Sequence, residues 1–303
     1  MTDSSERSLI SFVMLTYNQE KLIEEAMEGA FSQTYQPMEI LISDDHSTDR
    51  TYEVIERVAA SYDGPHQLKT WKNRTNLGVA ENFNKAMEAS SGAILVLAAG
   101  DDISAPDRVE RTAQAFAAEG VSLVHSSVNR IDENGRPVSG SETNALLMSP
   151  HSIYDVAKST SLYIGATGAI RRALFEKYGR IEHDEAIEDL VYGFRAALEG
   201  GSKYIDAPLV RYRVGTGLST TVSDLEEAHI EKDKGQNSLS TRIDVFKQRL
   251  ADIKKSDVAG AYRLAWEVRL KLFRLIGKKA ILKVTPYSVL NVFRRRRAMS
   301  RKS

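Results

Sequence analysis

The chain has 303 residues, 42% of them hydrophobic, with 41 Lys and Arg balanced by 41 Asp and Glu and no cysteine. That length and apolar content suffice for a large core with a smaller addition, and the absence of cysteine excludes disulfides and thiolate chemistry. The longest uncharged apolar run, around Ala93 to Ala99, is far short of the roughly 20 residues of a membrane span, and the polar start MTDSSERS lacks signal-peptide character, so a cytoplasmic protein is expected.

Strand and helix patterns alternate through the first half. Ile10 to Leu15 predicts a buried strand, and Leu22, Ile23, Ala26, Ala30 and Phe31 recur at helical spacing. Ile40 to Ile42 predicts a second strand, followed by a helix through Val54, Ile55 and Val58. Leu68 to Trp71 predicts a third strand, Phe83, Ala86 and Met87 a helix face, and Ile94 to Leu97 a fourth strand. Val109 to Phe116 then predicts a helix and Val121 to Val124 another strand. This alternation implies an α/β fold with a mostly parallel central sheet flanked by helices and its strand ends along one edge. Nucleotides bind at such edges, but neither G-x-G-x-x-G nor G-x-x-x-x-G-K is present.

Three polar clusters fall at the carboxyl ends of these strands: Thr16-Tyr17-Asn18, Asp44-Asp45 with His46-Ser47-Thr48-Asp49, and Gly100-Asp101-Asp102. Tyr17 offers a stacking face for a base, and Asp44 or Asp45 an acceptor for a base N–H. Asp101 and Asp102 suit a divalent metal, because two adjacent buried carboxylates stay ionised together only beside a cation. The same two acids also suit a turn capping the helix that leads to Arg108. Asn76-Leu77-Gly78 is a loop in which Gly78 permits close backbone approach.

In the second half, Glu188 and Asp189 stand about 100° apart if helical, so they cannot both face one reacting group. Both also suit the positive end of a helix running through Val191 and Phe194. Tyr204 to Gly215 predicts two short strands around a turn. The six histidines, at 46, 66, 125, 151, 183 and 229, show no metal-ligand spacing and are expected in loops or at the surface. Twelve Lys or Arg and no acid follow Glu267, interleaved with Leu270, Phe273, Ile276, Ile281, Leu282, Leu290, Val292 and Phe293, with Pro286 dividing two helices. That pattern, densest at Arg294 to Arg297, suits an anionic membrane surface, or in its first half a helix packed on its own domain. Nucleic acid is not expected, since interleaved stacking aromatics are missing.

Leu9 to Asn18, Ile40 to Thr51, Asn73 to Asn84 and Leu97 to Arg111 together resemble the successive blocks of an inverting family 2 glycosyltransferase of the GT-A fold, and the likeness extends to about Ser219. The resemblance implies a GT-A domain over 1–222, with a nucleotide-binding half over 1–128 and an acceptor half over 129–222, and a helical, basic C-terminal extension over 223–303. It implies a nucleoside diphosphate sugar held by Thr16, Tyr17, Asn18, Asp44, Asp45, Asn76, Gly78, Asp101 and Arg213. Mn²⁺ or Mg²⁺ would sit on Asp101 and Asp102. Tyr163 to Arg172 resembles the block lining the acceptor site, with Thr167 and Gly168 as acceptor-binding residues. Ala186 to Leu190 resembles the acidic block that supplies the base, which points to Asp189 with Glu188 beside it.

Three positions depart from the family pattern: Leu15 stands for a common Pro, Ala99 for the first Asp of D-x-D, and Gly215 for a common His. Arg213 is then the candidate phosphate contact, through its two-pronged guanidinium, or else one half of a surface ion pair. The expected activity is sugar transfer with inversion to a hydroxyl of a glycan or lipid-linked acceptor in bacterial surface polysaccharide synthesis, by a protein peripheral on the inner face of the cytoplasmic membrane. A non-catalytic sugar-binding module, favoured by Ala99 and Gly215, and a nucleotidyltransferase are the alternatives.

Overall fold

A computed structural model describes residues 7–139, 145–215 and 238–284. The first half follows the alternation in the sequence: β1 (Ile10–Thr16), α1 (Ile23–Phe31), β2 (Met38–Asp44), α2 (Thr51–Ala60), β3 (Gln67–Lys72), α3 (Val79–Ala89) and β4 (Ile94–Ala99). Period-two alternation sends Phe12, Met14, Ile40, Ile42 and Val96 to the face covered by α1 and α2. The intervening Val13, Leu41, Leu95 and Leu97 face α3, where Phe83, Ala86 and Met87 meet them. Both faces are therefore covered, which is why these strands read as continuous apolar runs.

The parallel register aligns the carboxyl ends. Thr16 lies opposite Asp44, Leu15 opposite Ala99, and Asp44 opposite Lys72. The chain continues through β5 (Ile103–Ser104), α4 (Arg108–Ala115), β6 (Leu123–Ile131), α5 (Ile153–Lys158), β7 (Ala169–Arg171), α6 (Arg172–Tyr178), α7 (Glu188–Leu198) and β8 (Ser202–Arg213). The strands form one sheet in the order β3-β2-β1-β4-β7-β6-β8-β5, with β7 antiparallel to both β4 and β6. The expected boundary between residues 128 and 129 falls inside β6, within this continuous sheet.

Two expectations are corrected here. Tyr204 to Arg213 belongs to one strand of 12 residues, because Pro208, which cannot donate to a ladder, is absorbed by register shifts beside Ser127. The strand expected at Val121 to Val124 instead runs to Ile131, held beyond its apolar start by parallel pairing with β8.

The C-terminal region contributes α8 (Leu239–Lys255) and α9 (Ala261–Val284). Ser238 caps α8, its Oγ accepting from the Thr241 N–H at 2.9 Å. Ile243, Phe246, Ile253, Leu264 and Val268 join the same buried cluster as α3 and α7, so the described part of this region shares the core of the sheet domain. Pro286, Leu290, Val292, Phe293 and Arg294 to Arg297 lie outside the described residues, as does the expected boundary at 222. Among the described residues no helix is long and apolar enough to cross a membrane.

Candidate active site

The loops after β1, β2 and β3 are sewn to one another. The Asn18 N–H donates to Ser47 Oγ at 2.9 Å, and the Thr48 N–H donates to Asn18 Oδ1 at 2.8 Å. Asn18 holds φ 53°, a left-handed conformation that Asn tolerates. Asp44, fully buried, accepts from the Ser47 N–H at 2.9 Å and from the Ser47 hydroxyl. Asp45 accepts from the Leu77 N–H and the Gly78 N–H, both at 2.9 Å, and from Asn73 Nδ2 at 3.1 Å. Asn76 Nδ2 donates to the Asp45 carbonyl at 3.2 Å. The expected nucleotide residues therefore do meet along one edge, with Tyr17 the exposed ring among them. The Asp44 and Asp45 carboxylates spend hydrogen-bonding capacity on building the loops.

Gly100 lets the end of β4 pass this edge, since a Cβ there would come within 2.8 Å of Thr16 Cβ. Asp101 and Asp102 follow, each only 5% exposed. The Arg213 backbone N–H donates to Asp102 Oδ1 at 2.7 Å, while its Nε donates to the Asp101 carbonyl at 3.0 Å. Arg213 also donates from Nη1 to the carbonyls of Asp132 and Glu133 at 3.0 and 2.9 Å, and from Nη2 to Glu25 Oε2 at 2.7 Å. At 2% exposed, the guanidinium has its donors on protein acceptors, so Arg213 braces the end of β8 against the acid pair.

Burial and the neighbouring Asp101 charge push the Asp102 carboxyl well above the ordinary carboxylate range. Two such acids fit a divalent cation, which favours their ionised forms. Among the described residues no group of three or more His, Cys, Asp or Glu could hold a metal alone. The donor set thus fits a hard cation that takes its remaining ligands from phosphate oxygens and water.

Glu188 and Asp189 open α7. The 3₁₀ turn Gly165–Thr167 packs against them, and a Cβ at Gly165 would lie 2.6 Å from Glu188 Oε1. Asp189 is 8% exposed, and its Oδ1 is buried without a hydrogen-bond partner among the described residues. Burial, and then the Glu188 charge, push the Asp189 carboxyl well above its ordinary value; burial raises Glu188 too. The expected acceptor residues have structural duties. Thr167 donates its hydroxyl to the Ile164 carbonyl at 2.7 Å, and the Gly168 carbonyl accepts from the Leu97 N–H at 2.9 Å. They brace the link between β4 and β7.

The sequence reading missed Arg249. Fully buried on α8, it donates to the carbonyls of Ala157, Ser159 and Leu190 at 3.1, 2.8 and 3.3 Å. Burial holds its guanidinium down to about 9, so it stays cationic at neutral pH and draws the Asp189 carboxyl downward. The sequence signal was a lone cation among the apolar positions Ile243, Phe246 and Ile253. Two histidines are buried, and His125, inside a strand, departs from the expected loop or surface position. His66 is buried against the Gln33 carbonyl at 3.0 Å. His125 lies inside β6 between Tyr163 and Tyr204, with ring centroids 5.6 and 5.2 Å away, and burial lowers it to about 4. Beside it, over the paired strands β6 and β8, lies a cleft of about 810 Å³ lined by His125, Asn129, Ile164, Tyr204, Asp206 and Arg211.

The fold is shared with solved structures. TarS residues 1–349 of S. aureus in complex with UDP-GlcNAc superposes with a TM-score of 0.62 at 19% identity, covering 91% of this chain and 76% of that one. The mannosyltransferase PcManGT of Pyrobaculum calidifontis, in complex with GDP-Man and Mn²⁺, gives 0.54 at 18% identity, covering 98% and 82%. These likenesses show that the chain has the GT-A fold. Residues 11–179, more than half of the chain, match the model of glycosyl transferase family 2, and the chain belongs to that family.

Among curated relatives, the putative glycosyltransferase EpsE of Bacillus subtilis is 33% identical over 102 residues, 34% of this chain and 36% of that protein. The uncharacterized protein Rv1520 of Mycobacterium tuberculosis is 42% identical over 94 residues, 31% and 27% of the two chains. The match thus spans only about a third of the length of these relatives.

Proposed function

We propose that this glycosyltransferase moves a sugar, with inversion, from a nucleoside diphosphate sugar to a hydroxyl of a glycan or lipid-linked acceptor. The observation that carries the reading is Asp189, a buried carboxylate with one oxygen unpartnered among the described residues and a raised proton affinity. A base must be held away from the leaving group, and a carboxyl raised toward neutrality takes a proton from the attacking hydroxyl more readily. Glu188, packed on Gly165, raises that affinity, and Arg249 keeps it from rising further.

Tyr17, exposed beside Asp44 and Asp45, supplies a ring for the base of the nucleotide, with Thr16, Asn18, Asn76 and Gly78 shaping the edge around it. Asp101 and Asp102 would hold Mn²⁺ or Mg²⁺, which offsets the charge that builds on the departing diphosphate. The complexes of structural neighbours with UDP-GlcNAc, GDP-Man and Mn²⁺ support a nucleotide-sugar donor and a metal. The cleft beside His125 and Tyr204 suits a sugar acceptor, pairing aromatic rings with Asn129, Asp206 and Arg211. A role in surface polysaccharide synthesis, at the inner face of the cytoplasmic membrane, agrees with the basic C-terminal segment.

The test is a panel of nucleoside diphosphate sugars with Mn²⁺ or Mg²⁺, followed by NMR of the anomeric configuration of the product. Transfer with inversion is expected. Donor binding with neither hydrolysis nor transfer would favour a non-catalytic sugar-binding module, and retention of configuration would exclude Asp189 as the base.

A further inference from the structure

Helix α9 carries apolar side chains on two opposite sides, and the fold uses one of them. Leu264, Val268 and Leu275 face inward at 2%, 0% and 8% exposed. Tyr262, Trp266, Phe273 and Ile276 stand outward at 94%, 60%, 78% and 47%. At about 100° per residue these four, with Leu270 at the margin, fall in one stripe opposite the buried side. Apart from Tyr17 and Val138, every exposed large hydrophobic side chain among the described residues is on this helix.

Cations lie in and beside the stripe, with Arg269 among its apolar side chains and Arg263 and Arg274 along one flank. Between residues 261 and 284 the chain has seven Lys or Arg and one acid, Glu267, and Arg263, Arg269, Arg274 and Lys278 are exposed. A second copy docked on the stripe across a two-fold axis would bring these cations against themselves. A surface of acidic headgroups over acyl chains complements both features, because Trp and Tyr prefer that interface and Lys and Arg reach its phosphates. The helix is too charged to cross a bilayer, so it would lie in the plane of the interface.

We propose that the outer face of α9 is a docking surface for an anionic membrane, with Trp266 and Phe273 entering the acyl boundary and Arg263, Arg269 and Arg274 meeting the headgroups. The inference builds on the membrane-facing reading above, yet it rests on the surface of α9 alone and not on the chemistry of the site. It also places the contact on the folded domain, ahead of the arginine run at 294–297. Docking there would hold the enzyme on the surface where a lipid-linked acceptor resides.

The test uses the full-length chain and vesicles of phosphatidylcholine with and without phosphatidylglycerol. The expected result is flotation with the anionic vesicles only, weakened by salt. Trp266→Ser/Phe273→Ser should reduce partitioning at least about tenfold, as removal of two interfacial apolar side chains does, while circular dichroism and nucleotide binding stay unchanged. Replacing Arg294 to Arg297 with Gln should cost less than the α9 double variant.

Equal flotation of the double variant and the parent would overturn the proposal. So would a double variant whose only change is loss of a dimer in sedimentation, or of binding to RNA. The vesicle result is independent of sugar transfer, so failure to find a donor and failure of docking are separate outcomes.

Discussion

The backbone N–H of Arg213 donates to Asp102 Oδ1 at 2.7 Å, joining residues 111 positions apart in the chain. The end of β8 is thereby closed over the acid pair, and one oxygen of Asp102 already serves the protein. In the proposed reading Asp101 is the principal ligand of the metal. Asp101→Ala should abolish Mn²⁺-dependent binding of a nucleoside diphosphate in calorimetry while leaving the unfolding midpoint near that of the parent. Asp102→Ala should have an equal or smaller effect on binding, and it should also destabilise by freeing the Arg213 N–H. Undiminished metal dependence in Asp101→Ala would reject the assignment.

The Arg213 side chain separates a strut from a phosphate ligand. Arg213→Gln leaves the carbonyls of Asp101, Asp132 and Glu133 short of donors, and at about 1–3 kcal/mol for a buried unsatisfied group the variant should lose several kcal/mol in urea unfolding. Arg213→Lys should not rescue it, since an ammonium cannot span the same acceptors. Unchanged stability with weakened diphosphate affinity would favour the phosphate role.

Arg249 acts on the site through Asp189 and Leu190. Arg249→Met removes the cation that holds the Asp189 carboxyl down, so the rising limb of the kcat–pH profile should move to higher pH. A merely structural role would lower stability without moving that limb. Arg249→Lys should keep the limb near its original place while losing stability.

Arg195 and Asp252 form a fully buried ion pair, with Nε to Oδ2 at 2.9 Å and Nη2 to Oδ1 at 3.2 Å. Asp252→Asn strands a buried guanidinium and should cost about 3–5 kcal/mol, read from denaturant midpoints. Because the pair ties α8 to α7, loss of α8 should take α7 and its acids with it.

The parallel half of the sheet was legible because its strands are apolar on both faces and its polar clusters stand where the ladders end. Thr16, Asp44 and Asp101 could be placed on one edge from periodicity alone. The hydrogen bonds of Asp44, Asp45 and Thr167 could not, since an acid or hydroxyl that builds a loop and one that holds a ligand have the same sequence signature. The bracing role of Arg213 was not legible, because three of its partners are backbone carbonyls, from 101, 132 and 133, and backbone acceptors leave no mark in a sequence. Arg249 and Asp252 were hidden in a charged stretch because pairing across helices permits a burial that composition argues against. The long β8 was missed because Pro208 reads as a turn unless the register shifts that β8 makes around it are known.

The central claim rests on Asp189 and is tested by the pH dependence of kcat in the parent and in Asp189→Asn. Burial and the Glu188 charge raise this carboxyl, so it binds a proton more tightly in the folded chain than in the unfolded one. Stability from this group therefore falls as pH rises from the ordinary value of about 3.9 toward the raised one. Over the same window the base is released and kcat should rise, with its midpoint above the ordinary carboxylate range. Asp189→Asn should bind the donor as the parent does, lower turnover by roughly 10²–10⁴ and flatten that limb of the profile. An Asp189→Asn variant with parental turnover and an unchanged pH profile would contradict the account.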